Sequence, residues 1–299
     1  MIAIMGASGS TGGALLRRLT DLGVPCRALT REPERLRAEL PAAIPVDVRW
    51  ADAADPASLR NAFTDVRQLF LTMTNSPRQV EFESRVIDLA AHCGIEHIVK
   101  ISAPAAQPDS PVVISRWHYA IEQHLLRSGI DHTILRPYAF MQKLLTLAPT
   151  IQQGIIVGAM RDAACNYIDC RDIGDVAAEV LTRPEISRGT YTLTGSETFS
   201  HPKLAELLSR LLDRRIHYVD LPPTDFRQTL LDHAHMPLWL ATHVMEIQQL
   251  ARTRPEHPTD TVTRLLGRPP RTLEAFLTES RESGLFERDE FPDRPPSYL

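Results

Sequence analysis

The sequence predicts an α/β fold, in which a doubly wound parallel sheet is followed by a smaller, mainly helical C-terminal lobe. Three observations predict it. Short apolar runs alternate with helical patterns through the first half of the chain, a glycine-rich turn joins the first run to the first helix, and the alternation stops after Pro137. Alternating strands and helices form βαβ units with right-handed crossovers, so the sheet should be parallel and covered on both faces.

Six strands are expected in the first 137 residues. The first, residues 2–5, is apolar on both faces, as a central parallel strand should be. Asp55-Pro56 is typical of a helix N-cap followed by proline at the first helical position. The other strands are expected at residues 26–30, 46–50, 68–72, 97–102 and 132–135. Six strands of this length match the size of a dinucleotide-binding sheet.

The second half has a different rhythm. Two strands are expected at residues 167–170 and 190–194, both returning to the first sheet, and the pattern after Ser200 is mostly helical. We therefore predict a dinucleotide-binding domain over residues 1–145 and a helical substrate lobe over 146–285. A proline-rich tail, residues 286–299, is expected to be loosely ordered.

Composition excludes several classes of function. The net charge of −4 favours neither a nucleic acid nor an anionic membrane surface as partner. No window approaches the ~20 apolar residues of a membrane span, and the first residues lack the pattern of a signal peptide. The four cysteines form no CxxC pair, and His233 and His235, two residues apart, do not converge, so no metal is expected. A cytoplasmic location is the expectation.

The glycine-rich turn, residues 6–12, has the spacing GxxGxxG between the first strand and the first helix. Gly6 permits a tight turn, Gly9 lets the backbone approach a diphosphate, and Gly12 allows the helix to pack closely on the strand. The helix N-terminus offers free N–H groups and partial positive charge to phosphates. Hydroxyl side chains at three positions could add donors: Ser8, Ser10 and Thr11. We interpret this as a Rossmann-type dinucleotide site.

The end of the second strand favours NADPH over NADH. A protein that prefers NAD usually has an acidic residue near this point, to bind the ribose 2′-hydroxyl, but the chain has Arg31 there. A guanidinium can pair with a 2′-phosphate. The alternative is an exposed arginine that pairs with Glu32 or Glu34. Asp52, after the third strand, lies where an adenine amino group is expected, or is an ordinary loop carboxylate.

Several motifs together resemble the NmrA-like family of atypical short-chain dehydrogenases/reductases, whose relatives include NADPH:quinone reductases and isoflavone-reductase-like enzymes. The matching segments extend over roughly residues 1–280, and the most specific is LRP-x-x-F after strand six. The matching segments include the glycine turn and the residues 29–31, 99–102, 128–129, 133–141, 167–173, 191–195 and 266–270.

The resemblance implies which segments border the nicotinamide. These are Thr72, Met73 and Thr74 after strand four, and Pro137, Tyr138 and Phe140 after strand six. It also implies hydride transfer to a small, flat, conjugated acceptor such as a quinone, enone, imine or related carbonyl. An apolar or aromatic substrate is expected. Family relatives occur as monomers and dimers, so a homodimer is one expectation.

The helix before Gly129 departs from the pattern of short-chain dehydrogenases. They usually carry Tyr-x-x-x-Lys there, whereas this chain has Tyr119 followed by Gln123. The resemblance implies that His118 is the candidate catalytic residue, because isoflavone-reductase-like members keep a lysine at this position, eleven residues before Gly129. An imidazole could bind the nicotinamide ribose or hand a proton to the reduced substrate. Glu122, one turn on, could orient the ring. The alternative is a half-buried histidine paired with its helix neighbour, without chemistry.

Two further residues are candidates near the nicotinamide. Tyr138 is the second candidate donor, and Ser102, at the end of strand five, could touch substrate or ribose. The missing Tyr/Lys pair leaves two functions open. One is an NADPH-dependent reductase, since hydride transfer needs only a positioned nicotinamide and an acceptor. The other is a regulator that senses the NADP redox state and shows little catalysis.

Overall fold

The structure, a computed structural model, describes residues 1–40 and 46–286 of the 299-residue chain. Its strands within these ranges are β1 (Ile2–Met5), β2 (Cys26–Thr30), β3 (Asp47–Trp50), β4 (Gln68–Leu71), β5 (His97–Ile101), β6 (Asp131–Pro137), β7 (Ala139–Phe140), β8 (Ile155–Gly158), β9 (Ala164–Ile168), β10 (Gly189–Leu193), β11 (Thr198–Ser200) and β12 (His217–Asp220).

Helices connect these strands in the described part of the chain. They are α1 (Ser10–Asp21), α2 (Pro33–Glu39), α3 (Pro56–Ala62), α4 (Gln79–His92), α5 (Val113–Arg127), α6 (Ala148–Gln152), α7 (Cys170–Thr182), α8 (His201–Leu211), α9 (Pro223–Asp232), α10 (Leu238–Thr253), α11 (Thr261–Leu266) and α12 (Leu273–Glu282), with short 3₁₀ helices at Met141–Leu147 and Pro184–Ile186.

The main sheet has seven strands in the order β10-β6-β5-β4-β1-β2-β3, and every pair in it is parallel. The predicted doubly wound α/β fold is thus confirmed. The order reverses direction between β1 and β4, and ligands of such sheets bind in the crevice beyond the strand ends at this point. The carboxyl ends of all seven strands lie at one edge, so the segments that follow them are brought together.

Both faces of the sheet are buried, which explains the apolar character of its strands. One face packs against α1 and α7, where a Cβ on Gly174 would lie 2.7 Å from the Leu15 backbone nitrogen. The other face packs against α3, α4 and α5. Helix α3 begins as predicted, since the Asp55 carboxylate accepts hydrogen bonds from the N–H groups of Ala57 and Ser58. The close contact of α1 with α7 fixes the helix that follows the glycine turn.

The smaller lobe has its own core, formed mainly by the 3₁₀ helix after β7 and by α6, α8 and α12. It contains a parallel pair, β12 with β8, and a three-stranded sheet in the order β11-β9-β7. Helix α10 reaches back to the large domain, because the Glu246 carboxylate accepts a hydrogen bond of 3.0 Å from the Val113 N–H at the start of α5. The lobe is mainly helical, as predicted, and lies beside the N-terminus of α5.

The structure corrects the expected path of the second half. Of the two strands expected to return to the first sheet, β10 pairs with β6, whereas the strand near residue 168 pairs with β7 and β11 instead. This strand begins at Ala164, and Cys170 already starts α7. Helix α2 was not predicted, nor was the strand β8. The lobe boundaries at residues 145 and 285 stay predictions. Phe286 is buried, and residues 287–299 of the predicted tail lie outside the described residues.

Candidate active site

The glycine turn is shaped by close contacts that a side chain would prevent. Gly6 has a φ of +79°, and a Cβ there would lie 2.4 Å from the carbonyl oxygen of Thr72. A Cβ on Gly12 would lie 2.2 Å from the Gly6 carbonyl oxygen. Since a carbon and an oxygen that are not bonded do not approach this closely, both glycines are needed for the fold of the turn itself. The turn therefore holds the start of α1 directly against the end of β1.

Gly9 differs from these two glycines. It is the N-cap of α1 with ordinary extended dihedrals, φ −85° and ψ 168°, and a Cβ there would have only the Gly6 carbonyl oxygen within 4 Å, at 3.3 Å. A Cβ at this position would therefore need the Gly6 carbonyl to shift by only a few tenths of an ångström, far less than at Gly6 or Gly12. Gly9 is exposed, and no acidic side chain lies in the first turn of α1. A bare, exposed helix N-terminus of this kind fits a diphosphate.

The three hydroxyl side chains of the turn are placed differently. Ser8 and Ser10 are exposed, but Thr11 is buried and its hydroxyl lies 3.7 Å from the sulfur of Cys170. The prediction of a hydroxyl donor at Thr11 is therefore wrong, because that hydroxyl points into the contact between α1 and α7. Only its backbone N–H, in the first turn of the helix, faces the same end as the glycines.

The end of β2 presents a cation without a partner in the described residues. Arg31 is exposed and makes no hydrogen bond or ion pair there. The two expected alternative partners are taken, because Glu32 pairs with Arg35 and Glu34 pairs with Arg37. A free guanidinium beside the glycine turn fits a phosphate on the adenosine ribose.

Asp52 lies after β3 and is partly engaged in a local turn. Its Oδ1 accepts a hydrogen bond of 2.8 Å from the Ala54 N–H, and its backbone bonds to the Ser58 hydroxyl. This contact matches the alternative of a loop carboxylate. The side chain is half-buried.

The predicted nicotinamide segments lie at the same edge of the sheet. Thr72 and Met73 follow β4, are half-buried, and begin the loop that leads to α4, while Thr74 is exposed. Tyr138 and Phe140 follow Pro137 and are also half-buried. The Tyr138 N–H donates to the Leu193 carbonyl oxygen over 3.0 Å, which ties the segment to β10. These segments and the glycine turn are brought together only by the parallel order of the strands.

His118 lies on α5 in a cluster of polar side chains between α4, α5 and β5. It is 7% exposed; its Nδ1 lies 3.4 Å from Lys100 Nζ and its Nε2 lies 3.5 Å from the amide nitrogen of Gln79. Burial, followed by the charges of Lys100 and His243, holds the pKa of His118 well below its usual range. The ring is therefore neutral near pH 7, so of the two states left open by the sequence the structure favours imidazole.

Lys100 was not predicted as a site residue, although it lies in a segment that carries the resemblance. Its side chain is completely buried, and its Nζ lies 2.6 Å from a carboxylate oxygen of Glu83, which is 1% exposed. A charged lysine is almost never fully buried unless paired. The only sequence signal was a lysine within an apolar strand. The strand alternation alone could not show that it meets His118.

The predicted pair of His118 and Glu122 does not form. Glu122 is buried and accepts hydrogen bonds from the Ser102 hydroxyl and from the Arg136 guanidinium, with 3.0 Å between Arg136 Nε and Glu122 Oε1. The guanidinium binds both carboxylate oxygens, which is a strong geometry. This prediction was wrong because tertiary partners, Ser102 just after β5 and Arg136 on β6, outcompete the helix neighbour. Ser102, which was expected to touch ligand, donates its hydroxyl to Glu122.

Tyr138 has an acidic neighbour that the sequence did not indicate. Burial and then the charge of Glu256 raise the pKa of Tyr138, so its phenol stays protonated. Burial raises the pKa of Glu256 to about 7, against the hydrogen bond that it accepts from the Asn166 N–H over 2.6 Å. A carboxyl group shifted in this way beside the nicotinamide segments is a candidate functional group.

Two tryptophans, Trp117 of α5 and Trp239 of α10, face each other between the large domain and the small lobe. The rings of Trp117 and Trp239 lie 6.3 Å apart, tilted by 44°. His243 of α10 has a pKa lowered to about 4 by burial, and its Nδ1 is buried without a hydrogen-bond partner in the described residues. Most of α10, which carries Trp239, is only half-buried. This side of the site is therefore apolar and aromatic.

Residues 1–40 and 46–286 contain neither a metal-binding cluster nor a membrane-spanning helix. No group of three metal-ligating side chains lies close enough to hold an ion, and His233 and His235 are both exposed. Over the same residues, no helix combines the length and the apolar character that crossing a bilayer requires.

A parallel sheet with a glycine turn and a bare helix N-terminus at its switch point defines a dinucleotide-binding protein of the Rossmann class. The model of the NmrA-like family matches residues 1–277. The chain therefore belongs to the NmrA-like family, as its motifs indicated.

Relatives and solved structures agree with this assignment. NAD(P)H azoreductase of Xenophilus azovorans is 32% identical over 280 residues, which cover 92% of this chain and 96% of that protein. (4-alkanoyl-5-oxo-2,5-dihydrofuran-3-yl)methyl phosphate reductase of Streptomyces griseus is 33% identical over 286 residues, which cover 95% of this chain and 99% of the relative. The structure of the NADPH-dependent quinone oxidoreductase of Escherichia coli in complex with NADPH has a TM-score of 0.83 at 27% identity, covering 93% of this chain and 99% of that one.

Proposed function

We propose that this chain is an NADPH-dependent reductase that passes hydride to a small conjugated acceptor, and that His118 is its hydrogen-bond donor to that acceptor. The observation that carries the proposal is the exposed N-terminus of α1 behind Gly9, with Arg31, which has no partner among the residues that the structure describes, at the end of the neighbouring strand β2. Similarity to an azoreductase, a reductase of a phosphorylated butenolide-type compound and a quinone oxidoreductase supports it.

Different residues at the carboxyl edge of the sheet bind different parts of the cofactor. The N–H groups at the start of α1, with the Ser8 and Ser10 hydroxyls, hold the diphosphate. Arg31 pairs with the 2′-phosphate, which makes NADPH preferred over NADH. The segments 72–74 and 137–140 border the nicotinamide, which supplies hydride to the acceptor when the cofactor is bound.

His118 acts as a neutral donor in this proposal. Because burial and Lys100 keep the imidazole uncharged, it cannot release a proton as an imidazolium would near neutral pH. Its N–H can instead donate a hydrogen bond to the oxygen or nitrogen of the acceptor, where negative charge grows as the hydride arrives. Solvent then supplies the proton. Tyr138, whose phenol stays protonated, is the second candidate donor.

The acceptor is flat and apolar or aromatic. Trp117 and Trp239, with 6.3 Å between their ring centroids, offer aromatic surface above the N-terminal half of α5. Quinones, enones and imines are the classes to test, and azo compounds are added because a relative is named for their reduction.

The alternative function, a sensor of the NADP redox state with little catalysis, has weaker support, since the relatives above 30% identity are named as reductases. A cytoplasmic location and a homodimer remain proposals. We also propose that no nucleic acid binds, because the net charge is −4.

The test is oxidation of NADPH, followed by its near-ultraviolet absorbance, against a panel of quinones, enones, cyclic imines and azo compounds. The proposal predicts turnover with at least one class and tighter binding of NADPH than of NADH. Tight NADPH binding without turnover across the panel would favour the sensor. Equal affinities, or tighter NADH, would contradict the assignment of Arg31.

A further inference from the structure

We infer that Lys100 is a positioning residue, which fixes the imidazole of His118 in the tautomer that carries its proton on Nε2. The inference rests on the proposed function of His118 as donor. It concerns a residue that lies on β5, at the bottom of the cluster between α4 and α5, and that has no contact with solvent.

The Lys100 ammonium has three polar neighbours. Its Nζ donates to the Ile101 carbonyl oxygen over 2.7 Å and forms an ion pair of 2.6 Å with the Glu83 carboxylate. The third neighbour is His118 Nδ1, at 3.4 Å. The Glu83 carboxylate compensates for the loss of solvent around the ammonium. A charged lysine has only donors, so Nδ1 must accept.

A neutral imidazole has one donor nitrogen and one acceptor nitrogen. If Nδ1 accepts from Lys100, the proton of the ring is on Nε2. Both contacts of the ring are long, 3.4 Å to Lys100 Nζ and 3.5 Å to the Gln79 amide nitrogen. The opposite tautomer would turn an N–H toward the ammonium and would accept only from a neutral amide. Because charge-assisted hydrogen bonds are roughly twice as strong as neutral ones, the contact with Lys100 decides the tautomer.

The Gln79 amide leaves the Nε2–H free. Its nitrogen donates to the Glu83 carboxylate over 2.8 Å, which fixes the amide, since the reverse orientation would bring its oxygen against that carboxylate. The nitrogen beside His118 has no lone pair to accept a proton. The Nε2–H is therefore a buried donor without an acceptor in the described residues, and such a donor costs free energy until an oxygen or nitrogen of a ligand accepts it.

The contact also explains how the chain functions without a lysine at position 123. The Lys100 ammonium reaches the middle of α5 from β5, and it acts on the site by contacting His118. Glu122, the neighbour on the helix, has no part in this, because it is held by Ser102 and Arg136.

The test is the ¹⁵N spectrum of histidine-labelled protein without cofactor, with the His118 signals assigned from a His118→Asn variant. The wild-type protein should show the Nε2–H tautomer. The double variant Lys100→Met with Glu83→Gln removes the ion pair without leaving a lone buried charge. It should shift the ring toward Nδ1–H and lower kcat at least about tenfold, with KM for NADPH within about twofold. Lys203→Met, an exposed lysine on α8, should change neither.

The outcomes separate this inference from the proposed function. Nδ1–H in the wild-type spectrum overturns the role of Lys100, whether or not the protein reduces an acceptor, and this reading needs no variant to fold. An unchanged tautomer in the double variant also overturns it. If the tautomer follows the inference but His118→Gln keeps full turnover, the geometry stands and the donor role of His118 fails.

Discussion

The two ends of the proposed cofactor groove are built in different ways. At the phosphate end, the shape comes from backbone: Gly6 and Gly12 close a turn that no side chain would allow, and Gly9 leaves the start of α1 bare. At the proposed nicotinamide end, buried side chains of α4, α5 and β5 form a polar cluster that includes His118 and Lys100. The phosphate end depends on glycines, which carry no side chain, and the proposed nicotinamide end depends on the pairing of buried charged groups.

This difference has energetic consequences. A backbone site is insensitive to pH and tolerates no added volume at its close contacts. A cluster of buried titratable groups tolerates little change of charge, since each group that loses its partner keeps the full cost of desolvation. Variants at the two ends should therefore have different effects. Variants at the phosphate end should lose folding stability and cofactor affinity, whereas variants at the proposed nicotinamide end should lose turnover or change the stability of the protein in acid.

The largest effect is expected at Gly12. Gly12→Val would force α1 away from β1, because even a Cβ lies 2.2 Å from the Gly6 carbonyl oxygen. Urea unfolding should show a loss of about 3 kcal/mol or more. Gly13→Ala is the matched control on the same helix; its Cβ would have 3.3 Å to the nearest atom, and the change should stay below about 1 kcal/mol. Equal stability of Gly12→Val and wild type would refute the packing account.

The next effect is expected at His118. His118→Gln should lower kcat for acceptor reduction by about a hundredfold and leave the Kd for NADPH within about threefold, because a donor to the acceptor acts on the reaction and little on cofactor binding. Steady-state rates with calorimetric affinities measure both. Tyr119→Phe, one residue along the same helix, should change neither. A fall in affinity with unchanged kcat would move His118 from the acceptor to the cofactor.

A smaller effect is expected at Arg31. Arg31→Gln should weaken NADPH binding by about tenfold and leave NADH binding unchanged, since only NADPH offers a 2′-phosphate to the guanidinium. The affinities of both cofactors give the answer. Arg49→Gln, an exposed arginine of β3 paired with Asp47, is the control. Equal losses for the two cofactors would assign Arg31 to general electrostatics.

The smallest effect is a loss of folding stability as the pH falls. It is expected from the buried titratable groups and not from the glycine turn. The pKa of His243 is lowered in the folded protein to about 4 from an ordinary 6.5, so its protonation favours the unfolded chain. Its contribution to stability is complete above pH 6.5 and declines as pH falls toward 4. Between pH 7.5 and 5.5 the loss is roughly 1 kcal/mol. His243→Gln should lose less over this interval than wild type, whereas His217→Gln, an exposed histidine, should lose as much. Identical pH curves for all three would contradict the burial of His243.

The same contrast explains what the sequence could predict. The glycine turn, the alternation of strands and helices and the cap at Asp55 are local patterns, and each lies where the pattern placed it. Lys100 escaped prediction because only the packing of α4 and α5 over β5 brings it to His118. The pairing of His118 with Glu122 was wrong for a related reason: helical spacing makes two residues neighbours, but Arg136 on another strand binds the carboxylate more strongly.

The strand at 164–168 shows the limit of periodicity for topology. Its apolar residues correctly predicted that the segment is a strand. They carry no information about which strands it pairs with, and its partners are β7 and β11 in the small lobe. Helix α2 was missed because it is short, charged and mostly exposed, with Leu36 as its buried side chain. Such a helix has too few apolar residues to show a period.

The most direct test of the account is calorimetric titration of NADPH into wild-type protein and a Gly9→Val variant. The dihedrals of Gly9 are ordinary, and its Cβ would meet one atom, the Gly6 carbonyl oxygen at 3.3 Å, which a shift of a few tenths of an ångström relieves. The variant should therefore fold with a loss of about 1 kcal/mol for the weaker N-cap. If the diphosphate lies against the backbone there, the Kd for NADPH should rise at least about a hundredfold, a cost near 2.7 kcal/mol. A folded variant that binds NADPH as tightly as wild type would contradict the account.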